Sequence, residues 1–152
     1  MPIKLTLQIN IKDQKLPSNN DFKTWINIAL KKHIKNAEVC IRIIDEKESA
    51  HLNETYRHKA GPTNVLSFPY EKDPEDKIPL IGDIAICAPL ATKEAKEQNK
   101  PTLSHWTHLT VHGCLHLIGY KHQTNQQANI MEKEETDILE KINHFRHPAP
   151  AT

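Results

Sequence analysis

The chain has 152 residues, enough for about one domain with a proper core, and that core must be mostly aliphatic because aromatics make up only 5%. A formal net charge of +1 excludes the broad basic coat of a non-specific nucleic-acid binder, so any such contact must come from a local patch. Cys40, Cys87 and Cys114 are odd in number and widely spaced with no C-x-x-C pair, which argues against a disulfide framework or a cysteine zinc site and fits a reducing compartment.

Ile3, Leu5, Leu7, Ile9 and Ile11 alternate with polar residues, the period-two pattern of a strand with one wet face. This opening lacks the apolar block of a signal peptide, and the most apolar run, 78–91, is interrupted by Asp83. A soluble, cytoplasmic protein without membrane contact is expected. After Pro17, Phe22, Trp25, Ile26, Ala29, Leu30, His33 and Ile34 recur at helical spacing, with Lys23, Lys31, Lys32 and Lys35 on a solvated face and His33 packed. Val39, Ile41 and Ile43 predict a second strand. Asp45 followed by Glu48 reads as a capping box opening a helix to about Tyr56.

Residues 65–68 form a short apolar run bracketed by prolines; since proline cannot donate to a central ladder, this strand should lie at a sheet edge, where it would make a substrate shelf. Residues 71–77 are charged and read as a loop, and 78–87 as a buried strand. Pro89 suits the first turn of a helix to about Gln98, and Pro101 starts the next. Thr124 and Gln127 form a second capping box. Ile130, Met131, Ile138, Leu139, Ile142 and Phe145 supply the inner face of a last helix, with Glu132, Glu134 and Glu135 assigned to its solvated surface. The tail from about 144, with two prolines, is expected to fray. Together these elements predict one domain over 1–152 of mixed α/β or α+β class, a small mixed sheet of about four strands packed with five to six helices.

The chemistry concentrates in the run from His112 to His122. His112 and His116 are four positions apart, one helical turn, so both imidazoles can grip one ion; Gly119 can end the helix in the left-handed region and let His122 return to the same ion. Three nitrogens leave a fourth position for water, the layout of a catalytic rather than a structural zinc site. The spacing equals that of the H-E-x-x-H-x-x-G-x-x-H metzincin helix, but Gly113 stands where the glutamate base belongs, which disfavours peptide hydrolysis and points to another metal hydrolase. His105 and His108 continue the stripe; His108 lies about 12 Å along the axis from His116, too far to share the ion. Zinc, one ion per chain, is the expected occupant, although imidazole also suits other divalent transition metals.

This run resembles the H-G-x-L-H-L-x-G-Y-D-H signature of the YbeY family of bacterial endoribonucleases, with Lys121 in place of the usual aspartate. Asn53 to Pro69 resembles the same family's N-x-x-[WY]-R-x-K-x-x-P-T-[ND]-V-L-S-F-P segment, and Gly82-Asp83-Ile84 its G-D-I. The resemblance implies the YbeY fold and a metal-dependent endoribonuclease on single-stranded RNA, acting in small-subunit rRNA maturation and ribosome quality control, with the ribosome or its proteins as partners and no nucleotide cofactor. It implies catalytic roles for Arg57 and for a water held by His112, His116 and His122, and substrate contacts by Arg57, Lys59, Ser67 and His108. An arginine offers a fork of donors matched to phosphate oxygens. Asp83 is open between orienting a ligand histidine and a turn or cap role. Lys121 either removes an acceptor beside His122 or adds a phosphate contact. The general base stays open among a metal-bound hydroxide, another residue and an RNA hydroxyl. Two other readings are a non-catalytic ribosome-assembly factor with a structural metal and a zinc-protease-like hydrolase.

Overall fold

The computed structural model describes residues 3–12, 15–71, 75 and 79–146. Among the described residues nine elements follow in the order β1 (Ile3–Ile9), α1 (Asn19–Leu30), β2 (Ala37–Ile44), α2 (Glu46–Arg57), β3 (Val65–Pro69), β4 (Leu80–Cys87), α3 (Ala88–Glu97), α4 (Thr102–Leu117) and α5 (Asn125–Arg146). The sheet runs β1-β2-β4-β3: the first three strands are parallel, and β3 joins β4 antiparallel at the edge, with Ser67 opposite Ile84. The proline-bracketed run therefore lies at a sheet edge, as its chemistry requires. The mixed α+β class, the four strands and a helix count within the expected range also hold.

Local chemistry explains the boundaries. Ser18 caps α1 in a reciprocal box with Asp21, and Thr124 does the same for α5 with Gln127. Asp45 accepts from the Glu48 N–H at 2.8 Å, but the Glu48 carboxylate pairs with Arg42 at 2.7 Å, so only half of the expected box forms at α2. The last helix continues past 144 to Arg146, because Ile138 and Ile142 keep its inner face buried almost to its end. Residues 147–152, the rest of the tail expected to fray, lie outside the described residues, as do 72–74, 76 and 77 of the loop expected over 71–77 and residue 78, the first of the strand expected over 78–87.

Side chains alternate along β4 between two buried faces with the strand period of two. Ile84 and Ile86 join the main core with Phe22, Trp25 and Trp106, while Ala85 and Cys87 face a smaller cluster with Ile44 and Leu66, against which Leu52 of α2 and Leu90 of α3 pack. Helix α4 crosses the large face so closely that a Cβ on Gly113 would stand 2.8 Å from Ile84 Cγ2. That contact accounts for the residue: the position of the metzincin glutamate has no room for any side chain. Gly82 is constrained likewise, since a Cβ there would stand 2.5 Å from the Phe68 carbonyl oxygen and from Leu117 Cδ2.

Candidate metal centre

The C-terminal turn of α4 carries His112 and His116 on one face, and the chain then reverses. Gly119 takes φ 103°, the left-handed region its sequence position called for, and the Tyr120 N–H donates to the Leu115 carbonyl at 3.0 Å. This reversal brings His122 back, and one nitrogen from each of the three imidazoles lies within 4.8 Å of the others.

For His112 and His116 the hydrogen bonds on the far side of the ring decide which nitrogen faces inward. His112 Nδ1–H donates to Glu135 Oε2 at 2.5 Å, and His116 Nδ1–H donates to the Tyr120 carbonyl at 3.0 Å. Both Nε2 atoms then carry lone pairs, and they face each other at 3.0 Å. Two lone pairs at that distance repel unless a positive centre lies between them. A tetrahedral ion bonded at about 2.0–2.1 Å would set its nitrogens about 3.3 Å apart, so this pair needs only a slight opening. Two imidazoles oriented this way, with His122 beside them, fit a divalent transition metal.

Electrostatics keep His116 in its ligating form. Burial, followed by the charges of His112 and His122, lowers the His116 pKa to about 4 despite the opposing bond to Tyr120, so this ring is neutral at pH 7. The charge of Arg57, the last residue of α2, acts on His116 in the same direction. Burial pushes the Glu135 carboxyl upward, but the bonds and charges of His108 and His112 outweigh it and leave the group at about 2.

The segment around Arg57 is held by its own helix. Asn53 Nδ2 donates to the Gly61 carbonyl at 2.9 Å, Ser49 Oγ donates to the Thr63 carbonyl at 2.6 Å, and His58 closes α2 in the left-handed region. Lys59 in this loop is exposed. Ser67 Oγ donates to the Gly113 carbonyl at 3.1 Å and thereby ties the edge strand to the metal helix. His108 is half-buried and pairs with Glu135 at 3.8 Å, while His105 is buried and bonded to Glu94 at 2.8 Å.

One open alternative closes and one expectation needs correction. Of the roles left open for Asp83, the structure shows neither a bond to a ligand histidine nor a cap: it accepts from the Tyr70 hydroxyl at 2.7 Å, because it lies on β4 opposite Phe68, where the side chain that reaches it comes from just past the end of β3. Glu134 and Glu135 are not solvated surface: each is 8% exposed. The carboxylate behind a ligand histidine is Glu135. Its signal was in the spacing, since Met131, Glu134, Glu135, Ile138 and Ile142 fall on one helical stripe, and charge alone pointed the other way. Among the described residues no helix is long and apolar enough to cross a membrane.

The fold has a solved counterpart. The solution structure of TM1509 from Thermotoga maritima superposes with a TM-score of 0.65 at 24% identity, covering 98% of this chain and 99% of that one. The family model described as endoribonuclease YbeY matches residues 7–143, a span that takes in the end of β1, the whole of β2, β3 and β4, and the whole of the histidine cluster. A match over that much of the sequence leads to one conclusion: the chain belongs to the YbeY family of endoribonucleases.

Proposed function

We propose that this protein is a metal-dependent endoribonuclease that cuts single-stranded RNA in maturation of small-subunit rRNA and in ribosome quality control. It would act as a single domain in the cytoplasm, on rRNA in contact with the ribosome or its proteins. The observation that carries the metal dependence is the pair of inward Nε2 lone pairs, 3.0 Å apart, with His122 beside them. Family membership supports RNA as the substrate.

In this reading His112, His116 and His122 hold one ion, zinc or another divalent transition metal, through neutral imidazoles. When bound, such an ion supplies Lewis acidity toward a phosphate oxygen and makes water acidic enough to ionise near neutral pH. The chain does the rest. Glu135 and the Tyr120 carbonyl fix ring orientation, and the charge balance at His116 keeps a proton from competing for its Nε2. Arg57 holds the scissile phosphate and stabilises the negative charge that grows on it. Lys59, beside Arg57, follows the phosphate backbone, and Ser67 and His108 line the approach along the edge strand and α4. The lack of space at Gly113 speaks against a protease-like base on this helix.

The test is incubation of purified protein with single-stranded and duplex RNA of one sequence, with and without a chelator and with zinc returned afterwards. Cleavage restricted to single strands, lost with the chelator and restored by zinc, is the expected result. Cleavage that survives complete metal removal would overturn the metal assignment. RNA left intact under every condition would leave a metal-stabilised assembly factor as the better reading.

A further inference from the structure

Behind the metal histidines lies a second carboxylate that no step above uses. Glu134 is 8% exposed and accepts from the Tyr120 hydroxyl at 3.0 Å, with His33 Nε2 at 3.3 Å and Lys32 Nζ at 3.5 Å. The His33 ring meets the Tyr120 ring edge-on at 5.8 Å. Tyr120 is also the residue whose carbonyl accepts the His116 Nδ1–H. We propose that Glu134 is a positioning residue for the metal centre: by anchoring the Tyr120 side chain it fixes the carbonyl that selects the ligating tautomer of His116. The proposal rests on the metal reading given above.

The local geometry explains why such a brace is needed. Tyr120 follows Gly119, whose positive φ leaves the turn open and whose Cβ position has no heavy atom within 4 Å. Nothing packs against the glycine, so the peptide that carries the Tyr120 carbonyl takes its orientation from the Tyr120 N–H bond to Leu115 and from wherever the tyrosine ring is held. The ring is held by α5 on one side and by His33, in the turn after α1, on the other. A tie of α1 to α5 alone would put the weight on Lys32, but that side chain is 58% exposed and makes a longer contact than the tyrosine hydroxyl does. Neighbouring positions on α5 thus serve different histidines: Glu135 bonds His112 directly, and Glu134 reaches His116 through a tyrosine.

The experiment compares Glu134→Leu, Tyr120→Phe, Glu134→Gln and Lys32→Ala in the full chain. Two quantities are read: zinc affinity, by competition with a chromogenic chelator, and the His116 tautomer in metal-free protein, by long-range proton–nitrogen correlation. Glu134→Leu and Tyr120→Phe should weaken zinc binding about 3- to 10-fold, less than the 10- to 100-fold typical of a partner bonded directly to the ligand. Both should also turn a single His116 tautomer into a mixture. Glu134→Gln, which still accepts from the tyrosine hydroxyl, should stay within about twofold of the parent, as should Lys32→Ala. A merely structural Glu134 would lower the melting temperature while leaving affinity and tautomer unchanged, and that result overturns the proposal. Should Glu134→Leu not fold, Tyr120→Phe decides alone. If the parent protein binds no zinc, the metal reading fails, while the tautomer in metal-free protein still decides the brace.

Discussion

Replacing Glu135 with alanine removes the acceptor behind His112 and leaves the three ligand nitrogens in place. The carboxylate is 8% exposed and lies 2.5 Å from His112 Nδ1, with His108 Nε2 at 3.8 Å. Without it the Nδ1–H loses its acceptor, the ring can exchange tautomers, and the imidazole loses the negative partner that raises its basicity. Losing a hydrogen bond to a charged group costs about 1.5–3 kcal/mol, which corresponds to a loss of zinc affinity of roughly 10- to 100-fold. Glu135→Gln keeps an acceptor but no charge and should fall about halfway on a logarithmic scale. Chelator competition at pH 7.5 measures both variants, and a melting curve of the metal-free protein verifies that they fold. An alanine variant that binds zinc within about twofold of the parent would refute the reasoning, because the tautomer of His112 would then have another origin.

The remaining expectations are briefer. With a folded pKa of about 4 against an ordinary 6.5, His116 resists protonation, so its contribution to stability is present above pH 6.5 and is lost as pH falls through 4. The melting temperature of metal-free protein should drop over that interval more than that of His116→Ala, and parallel curves would contradict the assignment. The Glu135 carboxyl, at about 2 against an ordinary 4.5, extends the acid loss below pH 4.5 by the same sign rule, and Glu135→Gln should lack that limb. Arg57→Ala should retain its metal by elemental analysis yet lose about 10²- to 10³-fold in RNA cleavage; full turnover would return Arg57 to a surface role. Gly113→Ala sets a methyl 2.8 Å from Ile84 Cγ2, and the overpacking of about 1–3 kcal/mol should exceed the roughly 1 kcal/mol alanine gains in a helix. Denaturant unfolding with an unchanged midpoint would show that α4 has slack against the sheet.

Period and spacing, being local, were enough to locate all nine elements, the edge position of the proline-bracketed strand and the three clustered histidines. A 3.6-residue turn places His112 beside His116, and a glycine is what lets the backbone return His122; both are properties of neighbouring residues. What the sequence by itself left open depends on which surfaces meet. Glu134 and Glu135 read as solvent-facing because charge usually is, and only the packing of α5 against α4 and α1 turned them inward. Asp83 was open between a histidine partner and a turn or cap role until strand pairing set it opposite β3 and gave it to Tyr70. Gly113 read as a missing base, but the space it occupies against Ile84 exists only because α4 lies on β4. Short-range sterics determine where helices begin, end and repeat their side chains; the tautomer of a histidine and the burial of a carboxylate are set by atoms distant in the chain, and those only the folded molecule brings within bonding distance.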